Sequence, residues 1–164
     1  MHRLTDFKSF VAAQTLLERA LALDPGYSHA KALVCRLTVA ARSEPWLSVE
    51  EAARCLPLAE DVVTDHRNDA MALAFAGITI AFLGQQQQRG VHILRQAYAL
   101  NPNSSHVLYA SGWVHSYVGD EVTAIDHFNR SLRINPLDPM IGQIRSGLGG
   151  ALLALGRTEE SVAT

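Results

Sequence analysis

An interval of 34 residues governs this chain. Pro102 and Pro136 stand 34 apart, each closing a run that ends Leu-Asn-Pro or Ile-Asn-Pro, and Gly90/Ala124, Leu94/Phe128 and Ala97/Ser131 keep the same separation. A period of this length means that supersecondary units stack side by side, each burying its apolar face on the next. Gly77/Gly112 and Gly84/Gly119 are 35 apart, so one extra residue sits in the turn around Gln85 to Gln88, where insertions cost little. One unit earlier, Ala13/Cys55, Leu17/Ala59 and Ala20/Val62 are separated by 42, which is the period plus eight residues and puts an insertion near Ser43 to Glu50. Its Pro45 and Trp46 suit a loop that tucks an aromatic ring onto the body.

Within each unit the apolar residues recur at the helical interval and never alternate as in a strand. Ala70 to Leu83 and Ser105 to Val118 are apolar runs ended by Gly84 and Gly119, glycine being the residue that best tolerates a left-handed helix cap. Arg89 to Leu100 and Glu121 to Ile134 stop at Asn-Pro, because proline cannot continue the hydrogen-bond ladder. Asp69, Ser104 and Asp138 stand where side-chain oxygens cap the following helices. The pattern predicts helices over 5–23, 28–42, 50–65, 70–83, 88–100, 105–118, 121–134 and 138–155, the last about a turn longer than its counterparts, with a ninth from Thr158. The fold class is all-α, a right-handed superhelical solenoid of antiparallel helix pairs. As a single domain over 1–164 it divides into a leading helix, repeats over 28–67, 70–103 and 105–138, and a trailing helix 138–155.

A 34-residue helix-turn-helix unit with a small residue inside the first helix, a small residue and an aromatic in the second, and a closing proline resembles the tetratricopeptide repeat (TPR). The best copy runs from Ser105 to Asp138: Gly112 and Ala124 match the small residues, Phe128 the aromatic plug, Ser131 the small seat and Pro136 the terminator. It departs at Ser111 and His115, where the repeat usually carries Leu and Tyr. Gly77, Gly90, Leu94, Ala97 and Pro102 repeat the scheme one unit earlier, and Cys35, Cys55, Ala59 and Val62 the unit before, with Arg67 in place of proline. The run Leu17 to Tyr27, the Trp46 insertion and Ala124 to Pro139 are similar to the TPR region that follows class III adenylate/guanylate cyclase domains, or winged-helix regulators, in bacterial signalling proteins. That resemblance implies a regulatory segment of a longer protein.

Other chemistry is poorly supported. Fourteen Lys and Arg against sixteen Asp and Glu give a net charge of −2 over 164 residues, too balanced for a nucleic-acid funnel. No apolar run reaches the roughly 18 residues that span a bilayer, and Met1 to Asp6 lack a signal-peptide core, so a cytoplasmic protein without membrane attachment is expected. The histidines, among them His29, His66, His92, His106, His115 and His127, fall in different helices without metal-ligand spacing; no metal, cofactor or catalytic residue is expected. Gly147-Leu148-Gly149-Gly150 follows no strand and precedes no Lys-Ser/Thr, which argues for close helix packing over a phosphate cradle. Cys35 and Cys55 fall at the two small positions where paired helices touch and should be neighbours, either as buried thiols or as a redox-sensitive cross-link.

The first helix of each unit lines the concave face of such a solenoid, where the resemblance implies that an extended peptide or partner helix is held. The repeat register predicts Arg36 from the first unit, Met71, Ile78 and Phe82 from the second, and His106, Tyr109, Trp113 and Tyr117 from the third. Aromatic and methionine side chains there suit apolar recognition. TPR domains that clamp a C-terminal carboxylate use Lys and Asn at positions where this chain has Ala32, Ala74, Ile78, Tyr109 and Trp113, which argues against acidic-tail binding. The competing expectation is homodimerisation through Met140, Ile144, Leu148 and Leu152 of the last long helix. The expected function is therefore a non-catalytic protein–protein interaction module, and the expected partner a protein or peptide.

Overall fold

A computed structural model describes residues 7–42, 44–65 and 68–164, with Glu51 represented by its backbone alone. The first two residues of the expected helix 5–23, the first residue of the insertion, Ser43, and both His66 and Arg67 lie outside the described residues. The elements run α1 (Phe7–Leu23), α2 (Ser28–Ala41), α3 (Val49–Ala53), α4 (Cys55–Asp65), α5 (Ala70–Phe82), α6 (Gln87–Leu100), α7 (Ser105–Tyr117), α8 (Glu121–Ile134), α9 (Ile141–Ala154) and α10 (Thr158–Val162). No strand occurs among the described residues, and no described helix is long and apolar enough to cross a membrane.

The helices pair in sequence order, α2 with α4, α5 with α6, α7 with α8 and α9 with α10, and each pair stacks on the next through α2·α5, α5·α7 and α7·α9. This is the expected helical-repeat solenoid. The inner helices are the apolar ones: from Ala72 to Ala81 every residue of α5 is buried, because α5 packs against four other helices. The outer helices α6 and α8 bury one stripe, Gly90, Leu94 and Ala97 in the former and Ala124, Phe128 and Ser131 in the latter. Phe128 is the plug of this arrangement. Its ring lies so close to two glycines that a Cβ on Gly112 would stand 2.7 Å, and one on Gly147 2.5 Å, from ring carbons.

Local chemistry sets the helix ends. Asp69 accepts from Ala72 N at 3.0 Å and Ser104 from Val107 N at 3.4 Å, capping α5 and α7. Gly119 takes the left-handed conformation at φ 84° after α7, whereas after α5 it is Gln85 (φ 54°), not Gly84, that does so. The single extra residue of this turn is accommodated there, and Gly84 serves close approach instead: a Cβ on it would meet the Ile80 carbonyl at 2.7 Å.

Two expected helices differ. The span 50–65 is broken at Arg54 into α3 and α4. Pro57 is the cause: it has no N–H for the Ala53 carbonyl and its ring would clash there, so it is tolerated only in the first turn of a new helix. The span 138–155 begins at Ile141, which makes α9 as long as α6 and α8. Asp138 is buried and its carboxylate accepts from Met140 N at 2.8 Å and from Asn135 Nδ2 at 3.1 Å, folding Asn135 to Met140 into a tight turn ahead of the helix.

The insertion returns to the body. Trp46 packs on Phe7 and Phe10 of α1, ring centroids 5.5 and 4.8 Å apart, and with Leu47 joins Ala13, Leu17, Leu37 and Ala41 in a small core separate from the main one. In the repeat register Ala13 and Leu17 belong to the face that meets a partner helix, so the loop covers that face of α1. The polar departures Ser111 and His115 are explained as well. His115 Nδ1 donates to the Ser111 carbonyl at 2.8 Å, which leaves the Ser111 hydroxyl to donate to His127 Nδ1 at 2.9 Å. His127 in turn stacks on Tyr98 at 5.3 Å. The cluster replaces apolar packing between α7 and α8 with hydrogen bonds among Ser111, His115 and His127.

Candidate peptide-binding groove

Helical spacing builds the concave wall. On α5, Ile78 and Phe82 are four apart, and on α7, Tyr109, Trp113 and Tyr117 follow at intervals of four, so each set forms one stripe. These two stripes meet. Ile78, Phe82, Tyr109 and Trp113 line a cleft of about 300 Å³ whose other walls are Val39, Ala40, Arg42 and Glu44 at the α2 end and Gly142, Gln143 and Ser146 of α9. Phe82, Trp113, Arg42 and Tyr117, with Ser116, line a second cleft of about 330 Å³. The shared side chains make the two clefts one continuous groove.

Ile78 and Tyr109 form its floor, 2% and 7% exposed. The Tyr109 hydroxyl donates to Gln143 Oε1 at 2.8 Å, and burial pushes its pKa up, so it remains a donor. Phe82 has two neighbours: the Arg42 guanidinium lies 4.8 Å from its ring centre, and Tyr117, exposed, packs 4.7 Å away with its ring tilted. Trp113 meets the Phe128 plug edge-on at 5.8 Å, and its indole N–H is the one buried side-chain polar atom without a hydrogen-bond partner among the described residues.

Further along the wall, Arg36 and His106 converge on the ring of Phe75, at 5.8 and 5.5 Å. Arg36 Nε donates to Met140 Sδ at 3.3 Å, which joins α2 to the turn before α9 across 104 residues of sequence. Burial lowers the pKa of both Arg36 and His106, with Asp138 pulling each back up. Neither Arg36 nor Arg42 has an ion-pair partner among the described residues. Met71 stands apart from the groove, in a polar cleft with Asn68, Asp69 and Asn101 at the loop edge.

The four residues expected to mediate pairing are differently placed. Met140, Ile144, Leu148 and Leu152 are 4%, 0%, 5% and 3% exposed inside this one chain, with α9 packed against α7, α8 and α10. Met140 meets Arg36 of α2, and the large apolar side chains that α9 itself exposes are Leu153 and, at its end, Leu155. The α9 wall of Gly142, Gln143 and Ser146 was not anticipated from sequence; the signal was the continuation of the inner-helix stripe into a fourth unit. No group of three or more His, Cys, Asp or Glu among the described residues is arranged to hold a metal ion.

Neither a protein-family model nor a curated protein matches the sequence. Solved structures do match. A thermophilic TPR protein of Thermus thermophilus, TTC0263, superposes with a TM-score of 0.70 at 20% identity, covering 95% of this chain and 79% of that one. The fold is that of TPR proteins. The protein MamA matches with a TM-score of 0.59 at 20% identity over 95% of this chain and 79% of its own. A tetratricopeptide repeat protein of Parabacteroides merdae matches with a TM-score of 0.55 at 18% identity, over 94% of this chain and 57% of its own.

Proposed function

We propose that this chain is a non-catalytic protein–protein interaction module that holds a peptide or partner helix in the groove between α2, α5, α7 and α9. The observation that carries this reading is the continuous aromatic groove. Its floor is Ile78 and Tyr109, and its wall carries a donor, Arg42, that has no ion-pair partner among the described residues. An apolar side chain seated among Phe82, Trp113 and Tyr117, with a peptide carbonyl turned to the Arg42 guanidinium, satisfies both features. The similarity of the repeats to those that follow bacterial cyclase and winged-helix domains supports a regulatory role in a cytoplasmic signalling protein. The near-neutral charge supports a protein partner over nucleic acid.

Selection of peptides from a displayed random library, followed by titration of tryptophan emission, tests the reading. Bound peptides should alter the signal of Trp113, identified by its loss in Trp113→Phe. Phe82→Ala should weaken binding about tenfold, the cost of one interface anchor. Binding that is indifferent to both Phe82→Ala and Arg42→Ala overturns the assignment of the groove.

A further inference from the structure

Cys35 and Cys55 occupy the small positions at which α2 and α4 touch. Both are buried and neither is in a disulfide. Cys35 Sγ lies 3.6 Å from the Cys55 carbonyl oxygen, and Cys55 Sγ 3.0 Å from that of Ala52. The closeness of such seats is visible in the next pair, where a Cβ on Gly90 would stand 2.9 Å from the Gly77 carbonyl. The 3.6 Å approach of the Cys35 sulfur to the Cys55 backbone makes the two residues direct neighbours, the first condition for a disulfide.

The two thiols are unlike. A hydrogen bond to Cys55, together with burial, pushes the Cys35 pKa well up, so Cys35 keeps its proton. The same hydrogen bond, helped by Thr38, pulls the Cys55 pKa down against the effect of burial. Cys55 also lines a cleft of about 150 Å³, with Glu18, Val34, Thr38 and Leu58, that opens to the surface beside α1. Of the two, Cys55 has the lowered pKa and borders the cleft, and Cys35 lies beside it.

We propose that Cys35 and Cys55 form a reversible dithiol/disulfide site, oxidised by a small hydroperoxide that reaches Cys55 through this cleft. The Cys55 thiolate attacks a peroxide oxygen: an S–O bond forms, the O–O bond breaks, and the departing oxygen takes up the proton that Cys55 released. The Cys35 thiol then attacks the sulfenic sulfur, the S–S bond forms, the S–O bond breaks, and hydroxide leaves with the Cys35 proton as water. Two electrons pass from the two thiols to the peroxide, and a dithiol reductant returns them by exchange. The cross-link staples α2 to α4 and fixes the helix that carries Arg36 and Val39 to the groove. The site acts whatever the groove holds.

The test treats the folded chain with hydrogen peroxide, quenches, unfolds, alkylates and weighs it. Both thiols should vanish together, with a mass lower by two hydrogens and a linked Cys35–Cys55 peptide, and both should return with dithiothreitol. The linkage should form at least about tenfold faster in the folded chain than in concentrated urea, because folding holds the two sulfurs together. Cys35→Ser should leave Cys55 as a sulfenic acid trapped by dimedone. Thiols that survive the peroxide, oxidation to sulfinic acid without a link, links between chains, or a link that forms no faster in the folded chain each overturn the proposal.

Discussion

Gly147 and Gly150 lie three residues apart on α9, and alanine at each should act in opposite directions. Both substitutions relieve the helix-propensity cost of glycine, about 1 kcal/mol. At Gly150 an added Cβ meets nothing within 4 Å, so Gly150→Ala should stabilise the chain by that amount. At Gly147 the Cβ falls 2.5 Å from Phe128 Cζ, and the ring has no retreat, because Gly112 closes its other side and Phe128 is fully buried. Overpacking of this kind costs roughly 1–3 kcal/mol, which exceeds the propensity gain, so Gly147→Ala should be net destabilising by about 1 kcal/mol. Urea unfolding reads the difference as opposite shifts of the midpoint at unchanged slope, and thermal unfolding as opposite shifts of about 2–4 °C. Phe128→Leu in the Gly147→Ala background should recover part of the loss by vacating the space. If Gly147→Ala stabilises as much as Gly150→Ala, the ring is not wedged between α7 and α9 and the account of their packing is wrong.

Acid should weaken the α7–α8 contact. Burial first, then the neighbouring His115, lowers the His127 pKa to about 4. A base depressed in this way stabilises the folded chain fully above its unfolded pKa of about 6.5 and loses that contribution as pH falls from there toward 4. Discounted for the ring's partial exposure, the loss between pH 7 and pH 5 is about 1 kcal/mol, and it should be absent from His127→Asn in urea midpoints at the two pH values. Trp46→Ala should cost about 2–3 kcal/mol and raise amide exchange first in α1, whose small core it closes; uniform acceleration along the chain would contradict a separate core. Pro57→Ala should allow α3 and α4 to fuse, visible as new exchange protection at residue 57, and an unchanged break at Arg54 would assign it to another cause.

Most of the architecture was legible because it is local. The Asp69 and Ser104 caps and the Asn-Pro stops each act within a turn of the chain, and the 34-residue spacing needs only the comparison of one unit with the next. The break before Cys55 was equally local and visible in Pro57. The Asp138 turn was harder to see: an aspartate ahead of a helix reads as a cap, and only its burial and its bond to Asn135 Nδ2 reveal a folded turn instead. The groove was legible by stripe and not by depth. Four-residue spacing put Ile78 and Phe82 on one face and Tyr109 and Trp113 on another, but Met71, in the first turn of α5, falls toward the loops. The contact of Met140 with Arg36 was not legible at all, because it joins elements 104 residues apart and no single repeat encodes it.

The Arg36–Met140 contact makes the solenoid a clasp. Its two inner flanks, far apart along the chain, touch across the hollow, so a guest bulkier than the clefts has to spread the coil before it can lie down. The stiffness of the intervening hairpins then becomes part of the affinity, and a brace such as a Cys35–Cys55 link alters what the hollow accepts without touching the guest.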